Sequence, residues 1–137
     1  LNENRKQMNF GDSEFITNLK LQKLLYYAQG CYLAKNDESL IKEDFLAWEH
    51  GPVIRKIYDK FRIFGSNGIQ YEEDYDDKLD EDTKVLLKKV YDRFGQYTAW
   101  KLRDMTHQET PWKETDRNHV IDKRIIQNYF KENYSNI

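Results

Sequence analysis

The sequence predicts a mainly α domain: a compact bundle of about five helices with at most a small two-stranded β element. Three observations carry that reading. Apolar residues recur at helical spacing in several separate stretches, helix-capping residues stand at their starts, and only one short stretch is rich in strand formers. A chain of 137 residues supports one core, so residues 1–137 are read as a single domain. Within it, residues 1–16 are a polar, irregular start.

The first helix is the clearest. Thr17 or Asn18 can cap it, and Leu21, Leu24, Leu25, Ala28, Cys31 and Tyr32 mark one buried face as far as about Lys35. Asn36 to Ser39 is turn chemistry. Glu43 to His50 then reads as a short strand, with Ile69-Gln70-Tyr71 as its partner, and Gly51-Pro52 as its end. Pro52 suits the first position of a second helix, whose stripe is Ile54, Ile57, Tyr58, Phe61 and Phe64, closed by Gly65.

A third helix spans roughly Asp82 to Phe94, stopped by Gly95. Its acids lie at the positive end of the helix dipole and its bases toward the negative end. Thr98 can cap a fourth through about Thr106, and His107 to Arg117 reads as a structured loop. Asp122 caps the last helix, with Ile121 and Ile126 placed as a hydrophobic staple around it. Ile125, Ile126, Tyr129 and Phe130 supply its buried side.

Composition narrows the function. No apolar run approaches the ~20 residues of a spanning helix, and no secretory signal is visible. The lone Cys31 excludes an internal disulfide, so a cytoplasmic address is expected. The chain opens at Leu1 rather than Met, as expected if upstream residues were trimmed. Net charge is −2, yet Glu72 to Asp82 sums to −7, leaving the remainder at +5. That is not the broad positive field of a nonspecific nucleic-acid binder. Ten Tyr, seven Phe and three Trp exceed what a small core needs, and exposed aromatics suit protein interfaces. Trp112, beside Pro111 in a polar stretch, is the tryptophan most expected to be partly exposed.

Catalytic patterns are sparse. His107, Glu109 and His119 could meet as ligands after folding, but no recognised metal spacing joins them. The simpler reading has His107 bonding a helix end or nearby backbone, and His50 stabilising the Gly51-Pro52 turn. Cys31 falls on an apolar stripe, where a free thiol acts as a small hydrophobe. Arg55, Lys56, Lys60 and Arg62 read as the wet face of the second helix rather than a phosphate track, and the acidic run as a solvated loop.

Three ordered motifs then form a pattern. Leu19-Lys20-Leu21-Gln22-Lys23-Leu24-Leu25-Tyr26-Tyr27-Ala28-Gln29 comes first. Ala47-Trp48-Glu49-His50-Gly51-Pro52-Val53 follows, and Leu102 to Lys113 closes, with Thr106-His107 and Pro111-Trp112. Together with Ile126 to Phe130, these resemble the Panacea domain, the SocA-like antitoxin family also described as phage-associated protein. The resemblance covers about Thr17 to Lys131. Members usually carry another helix before the first motif, and Leu1 to Ile16 is expected to lack it.

The resemblance implies a non-enzymatic, cytoplasmic protein that neutralises a cognate toxin by direct binding in a bacterial or phage toxin–antitoxin pair. It implies a toxin protein as partner and, for some members, a protease or chaperone that receives the toxin. No cofactor, metal, membrane or nucleic-acid partner is expected of this domain alone. The motifs meet at Trp48, His50, Gly51, Pro52, Thr106, His107 and Trp112, which serve either as a partner-binding site or as a buried structural network. Two alternatives stay open: a metal-dependent hydrolase using His107, Glu109 and His119, and a nucleic-acid-binding accessory protein.

Overall fold

The structure is a computed structural model that describes residues 9–10, 14–65, 67–68 and 79–137. Two short strands, β1 (Asn9–Phe10) and β2 (Glu14–Phe15), pair antiparallel where an irregular start was expected. Helix α1 (Asn18–Asn36) follows and is the centre of the domain. Thr17 Oγ1 caps it by accepting the Lys20 N–H at 3.1 Å, and Asp37 ends it in the left-handed conformation. The expectation of one buried face needs correction. Every residue from Leu21 to Gly30 except Leu25 is buried, because neighbouring elements enclose α1 on all sides.

A hairpin comes next: β3 (Leu46–Trp48) and β4 (Gly51–Val53), joined by a turn at Glu49 and His50. Here the structure departs from the sequence reading. Gly51-Pro52 forms the second strand instead of ending the first, and helix α2 (Arg55–Phe61) starts three residues beyond Pro52. The Ile69–Tyr71 strand lies outside the described residues, and β4 takes the partner role assigned to it. Pro52 is tolerated because it faces Ala47, whose backbone bonds go to the opposite edge. There Ala47 donates to the His119 carbonyl at 3.0 Å and accepts from the Asn118 N–H at 2.8 Å. A missing N–H at a non-hydrogen-bonded position costs the ladder nothing. Gly51 sits at φ +109°, a conformation that side chains disfavour.

A 3₁₀ turn (Arg62–Phe64) extends α2 to Gly65. Helix α3 (Glu81–Phe94) begins one residue earlier than expected, with Asp80 accepting the Thr83 N–H at 2.8 Å. Helix α4 (Ala99–His107) carries the Thr98 cap. The expected loop after it contains a further short helix, α5 (Thr110–Lys113), which Pro111 helps to start. Helix α6 (Lys123–Asn133) has Asp122 as its cap, and Ile121 and Ile126 are both fully buried, as a staple requires.

The fold is therefore mainly α, as the periodicity indicated, with six α-helices among the described residues packed chiefly about α1. An aromatic block fills the space between α1, α3 and α6. Tyr27 stacks on Phe94 at 4.0 Å, and Tyr26 meets Phe130 edge-on at 5.3 Å. Gly30 permits the close approach of α6, since a Cβ there would fall 2.4 Å from the Phe130 ring.

Candidate functional site

The first motif does more than supply core. Asn18 just before it, and Gln22, Lys23 and Gln29 within it, are buried, and each fixes another segment. Asn18 Nδ2 donates to the Tyr58 carbonyl at 3.0 Å and Gln22 accepts the Ile54 N–H at 3.0 Å. Lys23 Nζ donates to the Pro52 carbonyl at 3.0 Å. Gln29 accepts the N–H groups of Leu40 and Ile41 and donates to the Ile41 carbonyl. Backbone groups that lack a sheet or helix partner are thereby satisfied from α1. Sequence reasoning missed this role. The available signal was three polar residues, Gln22, Lys23 and Gln29, interrupting the otherwise apolar and aromatic run from Leu21 to Ala28 and beyond.

Glu109 is the second centre. It is buried, and Tyr26 donates to Oε1 at 2.9 Å while Tyr27 and Tyr134 donate to Oε2 at 3.0 and 2.7 Å. Burial pushes the carboxyl above its ordinary value, and the three hydroxyls pull against that shift. Desolvation and the nearby carboxylate raise the phenols in turn, Tyr129 to about 12. This arrangement ties α1, the α4–α5 turn and the end of α6 together. It does not suit the hydrolase alternative, because the Glu109 oxygens are occupied, His107 is stacked on a tryptophan and His119 is exposed. Among the described residues, no group of three or more His, Cys, Asp or Glu side chains could hold a metal ion.

The expected site residues do converge at one corner, where the hairpin meets α4 and α5. Trp112 Nε1 donates to the Trp48 carbonyl at 2.7 Å. The His107 ring stacks on Trp112 at 3.9 Å and 12°, and the Arg117 guanidinium lies 3.6 Å from the same ring centroid. Two groups so close to one centroid must occupy opposite faces, so Trp112 is sandwiched. His107 lies against the Glu49 backbone, which favours its protonated form, and its Nε2 is buried without a partner among the described residues. Desolvation, then Arg103, holds its pKa below the ordinary imidazole value.

Gly51, Pro52 and Thr106 lie beneath the surface. Thr106 Oγ1 donates to the Arg103 carbonyl at 2.8 Å, and a Cβ on Gly51 would meet Lys23 Cε at 2.5 Å and Thr106 Oγ1 at 2.9 Å. His50 is exposed and accepts the Arg103 Nε–H on Nδ1 at 2.9 Å. Arginine is always a donor, so this bond requires a lone pair on His50 Nδ1. Trp100 meets His50 edge-on at 5.4 Å and is 57% exposed. Trp112 is partly exposed, as expected, with its sandwich covering the rest, but Trp100 is the more exposed tryptophan. The seven residues divide into an internal clamp and a surface fringe.

Elsewhere the simpler readings hold for Cys31 and for the cations of the second helix. Cys31 is buried, and desolvation pushes its thiol up to about 12, far from a reactive thiolate. Arg55 and Arg62 pair with Asp59, and Lys56 with Glu43, so these cations are partly neutralised locally. Residues 72–78 of the acidic run lie outside the described residues, and Asp80 beyond them is a helix cap. Among the described residues, no helix is long and apolar enough to cross a membrane.

Fold and corner together define a helical domain built on a polar-lined central helix and a clamped, tryptophan-bearing hairpin. Residues 21–113 match the model of the family described as "Antitoxin SocA-like, Panacea domain", and the chain belongs to that family. It is similar to the protein named antitoxin SocA of Caulobacter vibrioides (strain NA1000 / CB15N), with 45% identity over 56 residues. That match covers 41% of this chain and 28% of the Caulobacter protein. No solved structure matches significantly.

Proposed function

We propose that this chain is an antitoxin-like binding module, in the cytoplasm, that neutralises a cognate toxin by direct protein–protein contact. The observation that carries the reading is the corner at Trp48–Val53 and Thr106–Trp112, where an internal clamp supports the exposed Trp100 and His50 and the half-buried Arg103 between them. Trp and Arg on a well-supported base are the side chains from which interface hot spots are built. Family membership and the name of the Caulobacter relative support a toxin as the partner. A protease or chaperone would be a second partner, reached after the toxin is bound. The non-enzymatic reading is supported by the engagement of Glu109 and the inert setting of Cys31.

The test is co-expression with the toxic product encoded beside this chain. The expected result is restored growth and a complex that co-purifies. Failure of both rescue and complex formation would remove that pairing. Steady turnover of a substrate by the isolated chain would overturn the non-enzymatic reading.

A further inference from the structure

We propose that Lys23 is a positioning residue that holds the hairpin turn in place while its amine is neutral. Protonation of that amine then loosens the turn and, with it, the corner carrying Trp48 and His50. The geometry is unusual for a lysine. The side chain is fully buried on α1, its stem packs against the Gly51 backbone, and its Nζ donates to one carbonyl, that of Pro52, at 3.0 Å. An ammonium has three protons to place, and a buried charge with a single acceptor is costly.

Among the described residues, no group around the amine offsets that cost. The hairpin brings Glu49 and His50 to the turn, both exposed. Helix α4 brings Arg103, Asp104 and His107. Asp104 is exposed and pairs with Arg103, while His107 is stacked on Trp112. On α1 itself Tyr26 and Tyr27 face Glu109, whose oxygens they and Tyr134 occupy. Burial lowers the amine first and the Arg103 guanidinium lowers it further, to about 7. A charged Lys23 would seek water, and the Gly51-Pro52 backbone stands in its path. Displacing that backbone moves His50 away from the Arg103 Nε–H. The effect on toxin binding rests on the proposed function; the coupling of Lys23 to the turn does not.

The experiment is NMR on the whole chain from about pH 5.5 to about 9, in a His50→Gln/His107→Gln background that removes the nearby imidazole titrations. The lysine side chains carry a ¹³C label at the ε-methylene. The expected result is a common step near pH 7 in the Gly51 and Val53 amides and in the Lys23 ε-methylene, absent from the amides in Lys23→Met. Flat amides through that range, or a Lys23 signal unchanged until the alkaline end, would overturn the proposal. Should Lys23→Met fail to fold, the first two signals still decide. None of these readings needs a toxin, so failure here is distinguishable from failure of the antitoxin reading.

Discussion

The Tyr134 hydroxyl donates to Glu109 Oε2 at 2.7 Å, so a residue just past the end of α6 closes onto a carboxylate between α4 and α5. Tyr26 and Tyr27 complete the set from α1. Glu109→Ala leaves three phenols without their acceptor, and each unsatisfied buried polar group costs ~1–3 kcal/mol. We expect a loss of about 3–5 kcal/mol in urea denaturation from the three unsatisfied hydroxyls together. Glu109→Gln keeps the shape and one acceptor oxygen, so its loss should be smaller. Equal losses for the two variants would show that volume, rather than hydrogen bonding, is what Glu109 supplies.

Lys23 also gives stability a slope with pH. Its folded value, about 7, lies below the ordinary 10.5, so between the two the unfolded chain holds one proton more than the native chain. Stability therefore rises with pH through that window, at up to ~1.4 kcal/mol per unit, and this contribution is flat below it. Above about pH 10 the raised tyrosines act in the opposite direction, because the unfolded chain loses their protons first. Denaturant midpoints from about pH 7 to about 8.5, below the range where the unfolded chain loses the Cys31 proton, should climb in the wild type and stay level in Lys23→Met.

Trp100 and Trp112 should separate binding from folding. Trp100 is 57% exposed, so Trp100→Ala should change stability by no more than ~0.5 kcal/mol. Against the toxin it should weaken binding about 30-fold, the equivalent of ~2 kcal/mol at a central hot spot. Trp112→Ala removes the bond to the Trp48 carbonyl and the platform for His107 and Arg117, and should cost ~2–3 kcal/mol of stability. Unchanged toxin affinity in Trp100→Ala would place the contact surface elsewhere.

Gly51→Ala should be among the most damaging small changes. The position has φ +109°, and the added methyl would lie 2.5 Å from Lys23 Cε and 2.9 Å from Thr106 Oγ1. Backbone strain of ~1–3 kcal/mol adds to the steric displacement. We expect a total of ~3 kcal/mol, read from thermal and urea denaturation, with part recovered by removing the opposing hydroxyl in Thr106→Ala.

Much of the helical framework was legible because caps and apolar periods are local signals. Thr17, Thr98 and Asp122 cap the helices they were expected to cap, and Ile121 and Ile126 form the staple. The hairpin was misread because Gly51-Pro52 carries a strong local preference for a break. Its strand conformation is imposed by Gln22 and Lys23, some thirty residues away, which bond the backbone on either side of Val53. The corner was partly legible. Trp48, His50, Thr106, His107 and Trp112 were singled out from motifs, but Arg103 and Trp100 join them only through the meeting of hairpin and α4. Glu109 was considered as a ligand, and only folding brings the three tyrosines around it.

Both edges of the hairpin are already occupied. The 118–121 loop takes the outer edge of β3, and Gln22 and Lys23 take the backbone flanking Val53. Recognition by strand addition is therefore closed here, and a partner docking at this corner must be selected by its side chains. Specificity of that kind can change one residue at a time, with the hairpin's own backbone left untouched.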